Sequence, residues 1–322
     1  MRVIRVERFG SPAVLVPSQA PEPMAGAGEV VVEVAVAAID FVQTQLRQGF
    51  TPGPPLPRPP YVPGGSVAGQ VRSVGAEVDP GWLGRRVVTR TASGYGGNAE
   101  RAVATVTALL PVPPELGLPE AAALLDDGRT ALGLIDLTEP RPGEWVLVEA
   151  AGGGLGSLLV QLARAAGARV VGAARGAHKL ELARRLGAEA VVDYSEPDWT
   201  ERVRVATGGR GPDLVFDGVG GQLGEQAFGI VAPGGRFCLH GGASGALTTV
   251  DPTRAGRHGV RVLGIDSLRG LDTRALAERA LAEAAAGRLR PTIGQTFPLE
   301  RAAAAHTAIE ARAVLGKTLL VL

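Results

Sequence analysis

The chain has 322 residues, of which 45% are hydrophobic and 20% are charged, and its net charge at pH 7 is +1. This length favours two domains, and the composition is typical of a globular protein rather than a disordered one. Because basic and acidic residues are interspersed, we expect no concentrated positive surface for nucleic acid. No apolar run is long enough to span a bilayer and the first residues do not resemble a signal peptide, so we expect a cytoplasmic protein without a membrane partner.

Residues that commonly bind metals are sparse. Cys238 is the only cysteine, which excludes an internal disulfide and a cysteine-based structural zinc site. It stands in an apolar run that predicts a buried strand, so we interpret it as a packing residue. The four histidines, at positions 178, 240, 258 and 306, lack the spacing of metal ligands. The sequence therefore gives little support for metal catalysis.

The first part of the chain, to about Glu120, is predicted to be mostly β, with short strands between glycine and proline turns. The predicted strands cover residues 30–36, 66–74, 86–90 and 101–109. A short helix is predicted over 40–47. Seven prolines between positions 52 and 63 predict a rigid, extended connection.

From residue 143 onward, short strands alternate with amphipathic helices. The predicted strands cover residues 145–149, 169–173, 190–193, 213–217, 236–240 and 260–265. Helices are predicted from Leu155 and over 177–186, because apolar residues recur at helical spacing and a glycine follows each helix. Six strands in this alternation predict an α/β fold with a doubly wound, parallel six-stranded sheet of the Rossmann type, which binds dinucleotides.

The end of the chain is predicted to return to the first domain. It contains a helix over 273–286, a strand near 292–297, a helix from Leu299 and a strand over 317–321. The nucleotide-binding domain, residues 121–289, is then inserted into a discontinuous, mostly β domain formed by residues 1–120 and 290–322. We expect the active site in the cleft between the two domains.

A glycine-rich turn follows the first strand of the nucleotide-binding domain and leads directly into a helix. It consists of Gly152, Gly153, Gly154, Leu155 and Gly156. Glycines let the backbone approach a pyrophosphate, and the N–H groups and positive end of the helix stabilise its charge. With six predicted strands around it, the turn predicts dinucleotide binding; the alternative is a turn that merely packs the helix against the sheet.

The end of the second strand indicates which dinucleotide is bound. An NAD-selective site needs Asp or Glu there for the ribose 2′-hydroxyl, but this segment offers Arg175 and Lys179. Arg175 can bind a 2′-phosphate through two hydrogen bonds, and Lys179 can add a compact charge. Lysine is rare in this chain, since Lys179 and Lys317 stand beside 31 arginines. These features predict NADPH, although a solvated helix start would show the same cations.

Several separate segments match one family of enzymes. They are residues 9–15, the glycine turn at 150–156, residues 186–188 and 191–194, the run Asp217-Gly218-Val219-Gly220-Gly221 and the ending Gly316-Lys317-Thr318. Together they resemble the zinc-independent quinone oxidoreductases (zeta-crystallin-like) of the medium-chain dehydrogenase/reductase family, over nearly the whole chain. The resemblance implies a GroES-like catalytic domain, a Rossmann NADPH-binding domain and a homodimer formed through the edge strand at 260–265.

The resemblance also implies roles for single residues. Lys179 and Tyr194 match positions that contact the 2′-phosphate, with Arg175 beside them, and Thr130 matches a threonine next to the nicotinamide. The other cofactor-site residues that it implies are Gly218, Val219, Gly220, Gly241, Gly242, Gly264, Ile265 and Lys317.

The resemblance further indicates which chemistry to expect. Gly64-Gly65-Ser66 stands where zinc-dependent relatives carry Gly-His-Glu, which removes the metal as a Lewis acid. The remaining chemistry is hydride transfer from NADPH to a quinone or to the β-carbon of an α,β-unsaturated carbonyl compound. Besides Thr130, the catalytic candidates are Asp40 and Gln45, which stand where relatives commonly show Asn and Tyr. Asp40 has an alternative role as the N-cap of the predicted helix.

Two other functions stay open. One is the reduction of an enoyl thioester in a biosynthetic pathway, although no basic cluster marks a site for a carrier arm. The other is NADPH binding without catalysis, in a sensor, a structural protein or an RNA-binding protein. The missing tyrosine favours this function, whereas the near-neutral net charge opposes RNA binding.

Overall fold

The structure is a computed structural model that describes residues 1–51, 55–268 and 270–322. The chain divides into two compact units. The first comprises Met1–Arg129 and Ala277–Leu322, and the second comprises Thr130–Leu276. Residues 52–54, at the start of the predicted proline-rich connection, lie outside the described residues.

The chain begins with strands and two helices. In order these are β1 (Arg2–Val6), β2 (Leu15–Gln19), β3 (Glu29–Ile39), α1 (Phe41–Gln48), β4 (Ser66–Val74), β5 (Arg86–Arg90), β6 (Arg101–Thr105), β7 (Leu110–Pro111) and α2 (Leu118–Thr138). β1 and β2 pair as a separate antiparallel ladder. β3 pairs antiparallel with β4 and with β6, and most of its valines are buried, as expected for a central strand rich in β-branched residues.

The second unit alternates strands and helices. It contains β8 (Trp145–Glu149), α3 (Gly154–Ala165), β9 (Arg169–Ala174), α4 (Ala177–Arg185), β10 (Ala190–Asp193), α5 (Trp199–Ala206), β11 (Leu214–Asp217), α6 (Gly221–Phe228), β12 (Arg236–Leu239), α7 (Pro252–His258) and β13 (Arg261–Leu263). The strands form a six-stranded parallel sheet in the order β10-β9-β8-β11-β12-β13. This order confirms the predicted doubly wound Rossmann sheet.

The last elements complete the sheet of the first unit. They are α8 (Thr273–Ala285), β14 (Ile293–Pro298), α9 (Ala302–Glu310) and β15 (Lys317–Val321). The seven-stranded sheet has the order β14-β15-β3-β4-β5-β7, with β6 on β3. One of its faces is covered by α9, which buries Ala302, Ala305 and Ile309 in the same core as Val67 and Leu320.

Two glycines end helices of the second unit in the predicted manner. Gly167 follows α3 with φ 82°, and Gly187 follows α4 with φ 107°. Each N–H donates a hydrogen bond to a carbonyl near the end of its helix, from Gly167 to Arg164 and from Gly187 to Arg184. A side chain with a Cβ atom is strained at such positive φ angles, so glycine is favoured at both positions.

Several elements differ from the prediction, and the strands β1 and β2 were not predicted. The strand expected over 101–109 ends at Thr105 in a 3-10 turn, and the strand expected over 260–265 is the short edge strand β13, followed by the 3-10 turn Ile265–Leu268. The 21-residue helix α2 was not predicted. Because α2 is buried on most of its sides, its sequence lacks the apolar stripe that identifies a surface helix.

Candidate functional site

The carboxyl ends of all six parallel strands lie along one edge of the second unit's sheet. From β8 the chain proceeds to β9 and β10 on one side, and then to β11, β12 and β13 on the other side. Ligands bind to sheets of this type in the crevice at such a switch point. The predicted cofactor residues follow these strand ends: 152–156 after β8, Arg175 after β9, Tyr194 after β10, Gly218, Val219 and Gly220 after β11, Gly241 and Gly242 after β12, and Gly264 and Ile265 after β13.

The turn between β8 and α3 has room only for glycine at two positions. A Cβ atom on Gly156 would lie 2.3 Å from the carbonyl oxygen of Ala150, and one on Gly152 would lie 2.5 Å from the Cβ atom of Lys179. α3 begins at Gly154, and its N-cap residue Gly153 makes no side-chain capping hydrogen bond. A bare helix start behind a closely packed glycine turn fits a pyrophosphate group.

The residues predicted to bind the 2′-phosphate lie beside this turn. Lys179 in the first turn of α4 packs against Gly152, so the structure brings the lysine to the glycine turn. Arg175 is exposed directly after β9. Tyr194, half-buried after β10, donates its backbone N–H to the carbonyl oxygen of Ala174. The ends of β9 and β10 therefore form one side of the candidate nucleotide site.

An acidic residue, Asp193, also lies near Arg175. Its carboxylate accepts hydrogen bonds from the N–H of Gly176 at 2.8 Å and from the N–H of Ser195 at 2.9 Å. Burial would raise the pKa of Asp193, but the hydroxyl of Ser195, these two N–H groups and the charge of Arg175 hold it below its usual value. Arg175 is exposed and Lys179 is half-exposed at the same end of the sheet.

The turns after β11 and β12 touch each other. A Cβ atom on Gly241 would lie 2.8 Å from the carbonyl oxygen of Gly218, and one on Gly218 would lie 2.7 Å from His240. Asp217 fixes the first turn, because its Oδ1 atom accepts the N–H groups of Val219 at 3.0 Å and Gly220 at 2.7 Å. The structure therefore brings residues 218–220 and 241–242 together.

Titratable side chains are buried at the carboxyl ends of β8 and β12. Burial, together with the neighbouring Asp217, raises the pKa of Glu149 well above its usual value. Burial lowers the pKa of His240 to about 4 despite Asp217. Burial raises the pKa of Cys238 to about 12, which agrees with a packing role for its thiol.

A second group of charged side chains lies in the first unit. The ammonium group of Lys317, at the start of β15, forms an ion pair with Asp40 and lies 3.1 Å from Oδ2 of Asp127. Asp40 precedes α1, and Asp127 belongs to α2. The Lys317 side chain is 5% exposed, so water screens these ion pairs only weakly.

Asp126 extends the group to β4 and β5. Its Oδ1 atom lies 2.8 Å from Nη1 of Arg90 and 2.5 Å from Nη2 of Arg129, and its Oδ2 atom accepts a hydrogen bond from the hydroxyl of Ser66. We call the six residues Asp40, Asp126, Asp127, Lys317, Arg90 and Arg129 the charged cluster. Its three carboxylates and three cations balance when all are ionised.

Burial and neighbouring charges shift the pKa values in this cluster. Burial would lower the pKa of Lys317, but Asp127 and Asp40 outweigh it and hold the pKa above its usual range. Burial, followed by the repulsion of Asp40 and Asp126, raises the pKa of Asp127 to about 6 although Lys317 opposes the shift. Burial would also raise the pKa of Asp126, but Arg129 and Arg90 hold it below its usual value.

The predicted catalytic residues occupy both units. Asp40 stands at the N-cap position of α1, but its side chain makes no capping hydrogen bond, so the capping interpretation of Asp40 is wrong. It binds Lys317 instead. Gln45 is buried in α1 of the first unit, and Thr130 is half-buried in α2 at the start of the second unit. Lys317 was expected among the cofactor residues, whereas the structure pairs it with Asp40 and Asp127.

Asp126 and Asp127 were not predicted as site residues, although a feature of the sequence indicates them. They are two consecutive acids inside the apolar run that forms α2. Ionised residues are rarely buried without partners, so acids in a buried helix indicate partner cations elsewhere in the chain. Identifying those cations required the fold.

Among residues 1–51, 55–268 and 270–322, no three or more His, Cys, Asp or Glu side chains are grouped so that they could hold a metal ion. No helix in the same part of the chain is long and apolar enough to cross a membrane.

Known proteins resemble both parts of the chain. The family described as alcohol dehydrogenase GroES-like domain matches residues 26–114, and the family described as zinc-binding dehydrogenase matches residues 154–283. The quinone oxidoreductase of Pseudomonas aeruginosa is 33% identical over 98% of this chain and 98% of its own. The 2-haloacrylate reductase of a Burkholderia species is 32% identical over 92% of this chain and 91% of its own. The crystal structure of Escherichia coli quinone oxidoreductase complexed with NADPH has a TM-score of 0.91 at 30% identity, with 100% of both chains covered.

Proposed function

Because the chain belongs to the medium-chain dehydrogenase/reductase family and is an NADPH-dependent oxidoreductase, we propose that it reduces quinones or α,β-unsaturated carbonyl compounds without zinc. Relatives named for a quinone and for a 2-haloacrylate support this proposal, since both acceptors carry a double bond conjugated to a carbonyl or carboxyl group. Both relatives cover more than nine-tenths of the chain.

We assign the residues that hold NADPH from their positions at the carboxyl ends of the six parallel strands. We assign the pyrophosphate to the start of α3 behind Gly152 and Gly156, and the 2′-phosphate to Lys179, Arg175 and Tyr194. The turns at 218–220 and 241–242 are assigned to the ribose and nicotinamide, with Thr130, Gly264 and Ile265 beside them. When bound, NADPH supplies a hydride to the acceptor, and a solvent proton completes the reduction. The observation that carries the cofactor assignment is the packing of Lys179 on the glycine turn.

The segment 64–66 supports a reaction without zinc. Gly64 and Gly65 have no side chains, and the hydroxyl of Ser66 donates its hydrogen bond to Asp126. Gly65 stands at the position of the histidine of zinc-dependent relatives, and a Cβ atom there would lie 2.9 Å from the carbonyl oxygen of Gly94, so a ligand-bearing side chain does not fit unless the backbone shifts. We therefore assign the polarisation of the acceptor to polar side chains, with Asp40 and Gln45 as candidates.

We also propose that the protein is a homodimer. β13 is the edge strand of the six-stranded sheet, and Val262 in this strand is 37% exposed. An uncovered edge presents unpaired backbone groups to a second strand, and a second copy of the same strand pairs with it symmetrically.

The proposed activity is tested by following NADPH oxidation at 340 nm with four acceptors: a benzoquinone, an enone, a 2-haloacrylate and an enoyl thioester. We expect turnover with at least one of the first three, and no loss of rate after dialysis against a zinc chelator. Tight NADPH binding without turnover would favour a non-catalytic protein. A clear preference for the enoyl thioester would favour the biosynthetic alternative. Loss of rate on chelation would contradict zinc independence.

A further inference from the structure

Lys317 is the least exposed of the three cations in the charged cluster, and two carboxylates contact it. It contacts Asp40 from the β3–α1 junction and Asp127 from α2. Lysine is used at only two positions in this chain, whereas arginine is used at 31. A compact ammonium fits between two carboxylates in a small space, where the planar fork of arginine needs more room. The choice of lysine at this position therefore suits a point charge shared by two acids.

The position of Asp40 links its ion pair with Lys317 to the proposed reaction. Asp40 is a candidate for the polar group beside the acceptor, and an uncompensated carboxylate there would oppose the negative charge that develops on the acceptor oxygen. The ammonium group of Lys317 compensates the negative charge of Asp40 as long as the two side chains are paired. Asp127 draws on the same ammonium from 3.1 Å, so the two acids compete for it.

On the basis of the proposed reduction, we propose that Lys317 and Asp127 are positioning residues that act through Asp40. Lys317 neutralises the charge of Asp40 so that an oxyanion can develop on the acceptor. Asp127 competes for the same ammonium group and thereby limits how completely the charge of Asp40 is neutralised. Neither residue is assigned a contact with substrate or cofactor.

The groups around Lys317 determine how this arrangement responds to pH. Asp40 faces it from the β3–α1 junction, and Asp126 and Asp127 face it from α2. Asp126 is held by Arg129, Arg90 and Ser66, which leaves Asp127 as the acid that takes up a proton, with a pKa of about 6. Below this pH Asp127 is neutral and Lys317 serves Asp40 alone. Above it the ammonium is shared, so kcat should fall by roughly threefold between pH 5 and pH 8.

The first test replaces the shared charge. Lys317→Met leaves the carboxylate of Asp40 without its paired cation. We expect kcat for the quinone or enone to fall at least about tenfold, with the KM for NADPH within about twofold of wild type. Adding Asp40→Asn to Lys317→Met should restore most of the lost kcat, because it removes the uncompensated carboxylate.

A matched control is Arg47→Met at the other end of α1. Arg47 is another fully buried cation of the first unit, and it pairs with Glu310. Its replacement should lower the unfolding temperature, with a much smaller loss of kcat than in Lys317→Met. A loss of kcat in Lys317→Met that persists when Asp40→Asn is added would show a merely structural role and overturn the proposal. So would a raised KM for NADPH with unchanged kcat, which would make Lys317 a cofactor contact.

A second variant keeps the test decisive if Lys317→Met does not fold. Asp127→Asn removes the competing acid and should flatten the profile of kcat between pH 5 and pH 8, with the rate at pH 8 at least as high as in wild type. A profile that keeps its inflection near pH 6 contradicts the proposal. Wild-type turnover is measured first, because its absence with every acceptor refutes the proposed function rather than the role of Lys317.

Discussion

The two lysines of the chain differ in burial and in their neighbouring elements. Lys317 is enclosed by carboxylates in the first unit, whereas Lys179 is half-buried at the glycine turn of the second unit. A lysine between acids is a counter-charge within the protein. A lysine beside a bare helix start can interact with an external phosphate.

A charge reversal at position 179 tests this assignment. Lys179→Glu places a carboxylate where the 2′-phosphate is expected, so kcat/KM for NADPH should fall by about a hundredfold or more while that for NADH changes by less than about threefold. Steady-state kinetics with both cofactors measure the ratio. Arg185→Glu, an equal charge change at the exposed end of the same helix, is the control and should leave the ratio unchanged. An unchanged ratio in Lys179→Glu would show that the 2′-phosphate binds elsewhere.

At the scale of elements, the junction between β8 and α3 depends on close packing. Gly156 lies in the first turn of α3, where alanine would ordinarily favour a helix over glycine. The backbone of Ala150 occupies the space that a Cβ atom would need, with its carbonyl oxygen at 2.3 Å. Steric exclusion is larger than the gain in helix propensity at this position.

Two glycine-to-alanine variants separate these effects. Gly156→Ala should lower the free energy of unfolding by about 1–3 kcal/mol and weaken NADPH binding at least about tenfold, because the turn must move. Gly256→Ala in α7 is the control, since nothing lies within 4 Å of its added Cβ atom. It should raise the free energy of unfolding by about 0.5–1 kcal/mol. Urea unfolding and NADPH titration measure both quantities, and equal effects in the two variants would contradict the packing argument.

For the molecule as a whole, the proposed dimer depends on one exposed edge. Val262→Asp puts a charge on β13 and should shift the protein from dimer to monomer at micromolar concentration, while NADPH binding is retained. Light scattering after gel filtration measures the mass. Val205→Asp on α5 is the control, because Val205 is 71% exposed in the same unit. A monomeric wild type, or a dimer that persists in Val262→Asp, would rule out association through β13.

Prediction from sequence was accurate where residues close in the chain determine the structure. The strands β8 to β12, the glycine turn and the glycines that end α3 and α4 were all identified in this way, because each depends on a local pattern. α2 was missed because its burial on most sides removes the periodic pattern. β13 was predicted too long, because only Arg261–Leu263 pair with its single neighbour β12.

The sequence by itself predicted the Rossmann sheet, through its glycines and strand alternation, and the family and NADPH, through the segments that resemble quinone oxidoreductases, since all of these are local features. Only the tertiary structure decided the surroundings of Asp40. Its partner Lys317 and the competing acid Asp127 are far from it along the chain, and they meet because β3, the first part of α2 and β15 are packed in one unit. A buried charge requires a counter-charge, but which residue supplies it depends on how distant segments pack.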